Sequence, residues 1–215
     1  MSTRFPELAK LKISAERFLK VLRSLGIEYV MIGGMPAGFY GQPRFTQDLD
    51  FTVDPVATAE KIAELIQELE TRRFQLVSGS LPAKEELKRI SSLRFIDMQN
   101  RTMIDLVLNP RGFKWDPDIL KRRRREKILT RRMSVWCVPL EDMIVMKIAN
   151  GEPQDLKDLE GIMTRRFKEV DWNYLRMRAK QFNVTREVDE IRKRFSAKRH
   201  EREYQDSCGQ KMSLE

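Results

Sequence analysis

Cysteine and histidine are scarce in this chain. The two cysteines, Cys137 and Cys208, lie far apart with no paired spacing, which excludes a zinc ribbon and a disulfide scaffold. A reduced protein of the cytoplasm is the expectation. The single histidine, His200, sits in a charged tail, which removes a Ser-His-Asp triad and a histidine-rich metal site from consideration. No stretch approaches the ~18 uninterrupted apolar residues of a membrane span. Residues 1–12 carry charges throughout and lack an apolar signal core. No membrane partner is therefore expected. Internal repeats, low-complexity tracts, Gly-x-Gly-x-x-Gly and Walker patterns are also missing.

Positive charge is abundant. The 215 residues include 41 Lys+Arg against 32 Asp+Glu, a net charge of +9. Such a balance favours polyanionic partners and says nothing about fold. At 41% apolar and 34% charged residues, the chain is globular, charge-rich and long enough to bury a core.

The periodicity predicts an α/β (α+β) protein: a mixed sheet flanked by helices, followed by a helical C-terminal part. Leu8, Leu11, Ala15, Phe18, Leu19, Leu22 and Leu25 form one face of a helix closed by Gly26. Glu28 to Ile32 reads as a buried strand ending at Gly33-Gly34, and Pro36 fits the first turn of a short helix reaching Gly41. Asp48 to Val53 reads as a strand, and Asp54-Pro55 as a helix start with Ile62, Leu65, Ile66 and Leu69 at helical spacing. Further strands are expected at Phe74–Val77, at Leu93–Met98 and Met103–Leu108 around Asn100-Arg101, and at Ser134–Val138. A short helix is expected over Ala83–Ile90. Beyond Pro139 the pattern is helical: Leu140–Asn150, then a helix carrying Leu156, Leu159, Ile162 and Met163, then one carrying Tyr174, Leu175 and Phe182. Three parts result: residues 1–138, residues 139–184, and a charged helix and tail over 185–215 that frays after Tyr204.

Three features carry chemistry. Gly33-Gly34 between a strand and a helix lets backbone approach a ligand closely, or is simply a turn. Asp48 and Asp50, at i and i+2 on a strand, share a face; Leu49, Phe51 and Val53 take the other. Two such carboxylates want solvent or a shared cation. Asp105, alone in the apolar Ile104-Asp-Leu-Val-Leu108, needs a metal or an arginine partner. Three carboxylates from two strands suit a hard divalent cation such as Mg²⁺. Lys147 is the one charge in Met143-Ile-Val-Met-Lys-Ile-Ala149. It could meet an anion such as a triphosphate, snorkel to solvent, or pair with Asp155 or Asp158. Arg44, four residues before Asp48, could touch a phosphate or neutralise the carboxylates. Lys121-Arg122-Arg123-Arg124-Arg125 is a solvated face or an RNA-backbone contact, with Arg131, Arg132, Arg165 and Arg166 as further candidates. Trp115, Trp136 and Trp172 are expected in the core.

The stretch Ile32-Gly-Gly-Met-Pro-Ala-Gly-Phe-Tyr-Gly-Gln-Pro-Arg-Phe-Thr-Gln-Asp-Leu-Asp-Phe-Thr-Val53, with Asp105 on a later strand, resembles the signature of the nucleotidyltransferase superfamily, whose minimal fold is that of DNA polymerase beta. The Pro-Arg-x-Thr-x-Asp-Leu-Asp form resembles the branch of AbiEii-type toxin-like nucleotidyltransferases. Pro139 to Lys147 and Gly151 to Asp158 fit the same pattern. The resemblance implies transfer of an NMP from an NTP to a hydroxyl acceptor, with residues 1–138 as catalytic domain and 139–184 completing the nucleotide pocket. It implies Asp48, Asp50 and Asp105 as catalytic metal ligands for two Mg²⁺ ions, with Mn²⁺ as a substitute. Gly33, Gly34, Arg44, Lys147, Asp155 and Asp158 would be nucleotide contacts. Gly34 stands where many members carry serine, and the resemblance does not choose between Asp155 and Asp158. The net charge tilts the acceptor towards RNA or tRNA held by Arg122, Arg123, Arg124 and Arg125. The branch implies a toxin–antitoxin or defence role with a cognate antitoxin. The alternatives are a non-catalytic RNA- or protein-binding module on the same fold, and a small-molecule (antibiotic-type) nucleotidyltransferase.

Overall fold

The leucine spacing near the N-terminus produces α1 (Pro6–Ser24), ended by Gly26 at φ 61. The computed structural model describes residues 6–77, 84–87, 90–109, 116, 118–130 and 134–212. Trp115, Arg131 and Arg132 lie outside the described residues. The chain divides into two units, Met1–Pro139 and Leu140–Glu215.

In the first unit α1 is followed by β1 (Tyr29–Ile32), α2 (Gly34–Tyr40) and β2 (Asp48–Val53). Asp54 caps α3 (Pro55–Glu60), its carboxylate accepting from the N–H groups of Val56 at 2.8 Å and Ala57 at 3.0 Å. α4 (Ile62–Thr71) buries Ile62, Leu65, Ile66 and Leu69, the face its spacing predicts. Then come β3 (Phe74–Leu76), α5 (Lys84–Leu87), β4 (Ser92–Asp97) and β5 (Thr102–Val107). The last two form a hairpin with Arg101 at φ 57 in its turn. α6 (Ile119–Arg122), β6 (Arg124–Glu126) and β7 (Val135–Cys137) complete the unit. Of the expected helix over 83–90, the described part with helical backbone is α5.

The strands form one seven-stranded sheet in the order β3-β4-β5-β2-β1-β7-β6. The β2–β5 and β1–β7 pairs are parallel and the others antiparallel. Register sorts the side chains into transverse rows. Leu49, Ile104 and Phe95 form one row, Phe51, Leu106 and Leu93 another, all deeply buried on one face. Phe18 of α1 packs on that face, its ring centroid 5.7 Å from those of Phe51 and Phe74 and 5.8 Å from that of Phe95. Such aromatic contacts add to the area they bury. Asp97 lies among these side chains with 0% exposure. Its carboxylate accepts from Ser14 Oγ at 2.7 Å, Arg17 Nη1 at 2.6 Å, Asn100 Nδ2 at 2.9 Å and the Gln99 N–H at 2.9 Å. α1 is thus pinned to the β4–β5 hairpin by a buried acid that hydropathy does not single out.

The charged block 121–125 is not one solvated run. Arg122 pairs with Asp116 at 2.5 Å, and Arg123 pairs with Glu28. Arg124 and Arg125 are exposed on β6, at the sheet edge. The strand escapes sequence reading because its residues are charged, and charge is itself a way to guard an edge. Trp136 is half-buried rather than core, with the Arg123 guanidinium 4.8 Å and that of Arg125 5.4 Å from its ring centroid.

The second unit contains α7 (Leu140–Asn150), α8 (Pro153–Arg166), a 3₁₀ turn at Phe167–Glu169, α9 (Trp172–Gln181) and α10 (Thr185–Met212). Asp171 caps α9, and Gly151 ends α7 at φ 67. α10 runs on through the stretch after Tyr204 where fraying is expected. Leu156, expected on the packed face of α8, is 58% exposed, while Asp155 and Asp158 are buried. The reason is Lys147: its Nζ reaches Asp155 Oδ1 at 2.5 Å and Asp158 Oδ2 at 2.8 Å, which draws the acidic face of α8 inward. A second buried pair joins Arg178 Nε to Asp142 Oδ1 at 2.8 Å. Trp172 is half-buried, its ring 5.0 Å from that of Phe167. Among the described residues, no helix is long and apolar enough to cross a membrane.

Candidate active site

The face of the sheet opposite Phe51 carries a second kind of row. Ile32 of β1, Asp50 of β2, Asp105 of β5 and Arg94 of β4 are successive register partners across four strands. Asp48 stands two residues before Asp50 and so on the same face. The parallel pairing of β2 with β5 sets Asp50 beside Asp105, and one carboxylate oxygen from each of Asp48, Asp50 and Asp105 lies within 4.8 Å of the others. Apolar anchors on the opposite face of β2 and β5 fix the backbones, so the acids are held by the core packing of Leu49, Phe51, Ile104 and Leu106.

The loop residues are fitted around this cluster. Gly33 has φ 73 and ψ −143 and caps α2. A Cβ there would stand 1.9 Å from Asp50 Oδ2, so the missing side chain is what admits the carboxylate. A Cβ on Gly34 would stand 2.7 Å from Thr46 Oγ1 and 3.1 Å from Arg44 Nη2. The Thr46 hydroxyl donates to Asp48 Oδ1 at 2.8 Å. The space of the serine that the resemblance leads one to look for at position 34 is thus taken by Thr46. The structure brings Gly33, Gly34, Arg44, Asp48, Asp50 and Asp105 together. Lys147, Asp155 and Asp158 form their own cluster within the second unit, with Asn150 also donating to Asp155 and Gln154 to Asp158.

Two residues of the site escape the sequence reading. One is Thr46. The other is Arg94, whose Nε and Nη2 fork onto Asp105 Oδ1 and Oδ2 at 2.7 and 2.6 Å. The hydrogen bonds and charge of Asp105, with the charges of Asp48 and Asp50 behind, push the pKa of Arg94 further up. Counting outward from a two-residue turn at Asn100-Arg101 would set Ile96 opposite Asp105; the observed turn spans Met98 to Arg101, and that register sets Arg94 there instead.

Residues 8–208 match the family described as nucleotidyltransferase of unknown function, DUF6036. The chain belongs to that family. This nucleotidyltransferase has no match among curated proteins. Among solved structures it is similar to the antibiotic-resistance factor ANT(2'')-Ia, at 14% identity over 90% of this chain and 97% of that one, with a TM-score of 0.48. It is similar to the lincosamide antibiotic adenylyltransferase LnuA at 17% identity, over 67% and 92% of the two chains, with a TM-score of 0.44. A third likeness is to an antigenic nucleotidyltransferase-like protein from Paracoccidioides brasiliensis, at 16% identity over 74% and 75%, with a TM-score of 0.45.

The donor set of the nucleotidyltransferase site suits a divalent metal. Three carboxylates converge, all hard oxygen donors, with no histidine or cysteine among them. Like charges this close repel, and a shared cation relieves them.

Proposed function

We propose that this nucleotidyltransferase moves a nucleoside monophosphate from an NTP to a hydroxyl acceptor and releases pyrophosphate. The supporting observation is the convergence of Asp48, Asp50 and Asp105 on one face of the β2–β5 pair. In this reading they hold Mg²⁺, two ions in all, with Mn²⁺ able to substitute. Bound there, such ions neutralise phosphate charge and polarise the α-phosphorus. Asp105, at the inner end of the cluster and 7% exposed, takes the proton of the acceptor hydroxyl on a carboxylate oxygen. The acceptor oxygen then bonds to the α-phosphorus as the bond to the β-phosphate oxygen breaks. The resemblance sets the phosphates against the Gly33-Gly34 turn, whose side-chain positions Asp50 and Thr46 fill, and Arg44, beside Gly34, adds positive charge. The protein's share is positioning and charge compensation. The family resemblance gives Lys147, Asp155 and Asp158 nucleotide contacts, and within the second unit the three pair with one another.

For the acceptor we infer RNA. The observation in favour is the pair of exposed arginines, Arg124 and Arg125, on the sheet edge of a chain carrying net +9. A toxin role with an antitoxin partner rests on the AbiEii-type form of Pro43 to Asp50, and a neighbouring gene for a small DNA-binding protein would favour it. The test is incubation with each α-labelled NTP, Mg²⁺ and total cellular RNA, resolved on a gel. Label on RNA supports both inferences. Pyrophosphate release only when a small hydroxylated compound is added supports the chemistry and turns the acceptor to a small molecule. No transfer to RNA, protein or small molecule would favour a non-catalytic binding module.

A further inference from the structure

Asp97 and Asp105 are both acids on the central hairpin, and both are met by an arginine, yet the two arrangements differ. Asp97 has no exposure and accepts from Ser14, Asn100 and a backbone N–H besides Arg17. That is a fixed bridge. Asp105 accepts, among the described residues, from Arg94 alone, through a fork that engages both of its oxygens. The Arg94 side chain is 49% exposed, and it sits at the outer end of the row that runs through Asp105 to Asp50. Its exposed half gives the guanidinium a path into solvent. It also lies within the field of Asp48 and Asp50.

We propose that Arg94 is the resident counter-ion of the carboxylate cluster. It holds Asp105 when no divalent cation is bound, it opposes cation entry, and it releases the carboxylate when a nucleotide brings its own cation, turning the guanidinium to the phosphates. This rests on the metal-dependent reading above. The physical basis is that the fork and a cation need the same carboxylate oxygens, and that two positive charges in one cluster a few ångströms wide repel. The consequence is selectivity: the bare cation is held weakly, and the cation with triphosphate is held well because the phosphates offset the second positive charge.

The test is Mn²⁺ binding without nucleotide, followed by electron paramagnetic resonance, in the wild type and in the Arg94→Gln, Arg94→Lys and Asp48→Asn proteins. Removing the guanidinium charge should tighten Mn²⁺ binding about tenfold or more in Arg94→Gln, given the size of a charge–charge interaction at this range. Arg94→Lys keeps the charge but loses the fork, so its Mn²⁺ affinity should lie between those of the wild type and Arg94→Gln. In melting curves, Mn²⁺ should raise the midpoint of Arg94→Gln more than that of the wild type. Arg94→Met serves the same comparison should the glutamine protein not fold. Equal or weaker Mn²⁺ binding in Arg94→Gln would overturn the proposal, since Arg94 would then be aiding Asp105 as a ligand. A different failure marks the parent reading: Mn²⁺ binding that is undiminished in Asp48→Asn, or absent throughout, removes the metal site itself.

Discussion

Gly33 and Asp50 occupy one space. A β-carbon at residue 33 would stand 1.9 Å from the Asp50 carboxylate oxygen, and the Gly33 backbone, at φ 73 and ψ −143, lies in a region that other residues avoid. The turn after β1 and the acid on β2 are therefore a single fitted unit.

Gly33→Ala tests that fit. The backbone alone costs about 1–3 kcal/mol, and the carboxylate of Asp50 must move. The melting midpoint should fall, and NMP transfer should fall further than the loss of folded protein explains. A protein that melts and transfers like the wild type would show that the turn relaxes freely.

Much of this site could be read from the chain, and the reason is local. Asp48 to Phe51 alternates cleanly, so the buried face and the acidic face of its strand follow from period two, while Thr52 is buried as well. The glycine pair, the helix capped by Asp54 and the hairpin around Asn100-Arg101 have similarly short-range causes. What escaped depends on distant partners. Arg94 acquires its meaning from Asp105 across a ladder, Asp97 from Ser14 and Arg17 on α1, and Arg178 from Asp142 on another helix. Leu156 faces solvent against its apolar spacing because the pull of Lys147 on Asp155 and Asp158 turns the acidic face of α8 inward.

Asp97 should mark the acid limit of the fold. Burial raises its pKa, but hydrogen bonds from Ser14, Asn100, Arg17 and the Gln99 N–H outweigh this and leave it below the ordinary 3.8. A depressed folded pKa means that its stabilisation is complete well above the unfolded value and is lost as pH falls through the folded one. Asp97→Asn should be less stable than the wild type by about 2 kcal/mol at neutral pH, the scale of hydrogen bonds to a charge. The gap should close below pH 3.8. Denaturant titrations across pH check this; a gap that persists in acid would mean that charge is not the cause.

Lys147→Met should strand two buried carboxylates. The side chains of Lys147, Asp155 and Asp158 are each no more than 10% exposed, and breaking one side of such a cluster costs about 3–5 kcal/mol. Adding Asp155→Asn and Asp158→Asn should recover most of the loss. Thermal melts of the single and triple variants decide. An unchanged midpoint in Lys147→Met would mean that the lysine does its work elsewhere, with the nucleotide first in line.

The two exposed edge arginines should govern acceptor binding. Replacing Arg124 and Arg125 by alanine should lower the slope of log affinity for RNA against log salt by about 1.5 units, from two lost phosphate contacts. Arg122→Ala removes the partner of Asp116 instead and should act mainly on stability. Salt titrations with a labelled RNA read the slope. If it does not move, the acceptor lies in another chemical class.

The most direct test of the account compares the wild type with Asp48→Asn and Asp50→Asn in label transfer from an α-labelled NTP with Mg²⁺. Each substitution relieves like-charge repulsion and should leave the melting midpoint intact or higher. Each should lower transfer more than about a hundredfold, the scale of losing a preorganised electrostatic group. An Asp48→Asn protein that folds normally and keeps near-normal transfer would contradict the assignment of this cluster as the catalytic centre.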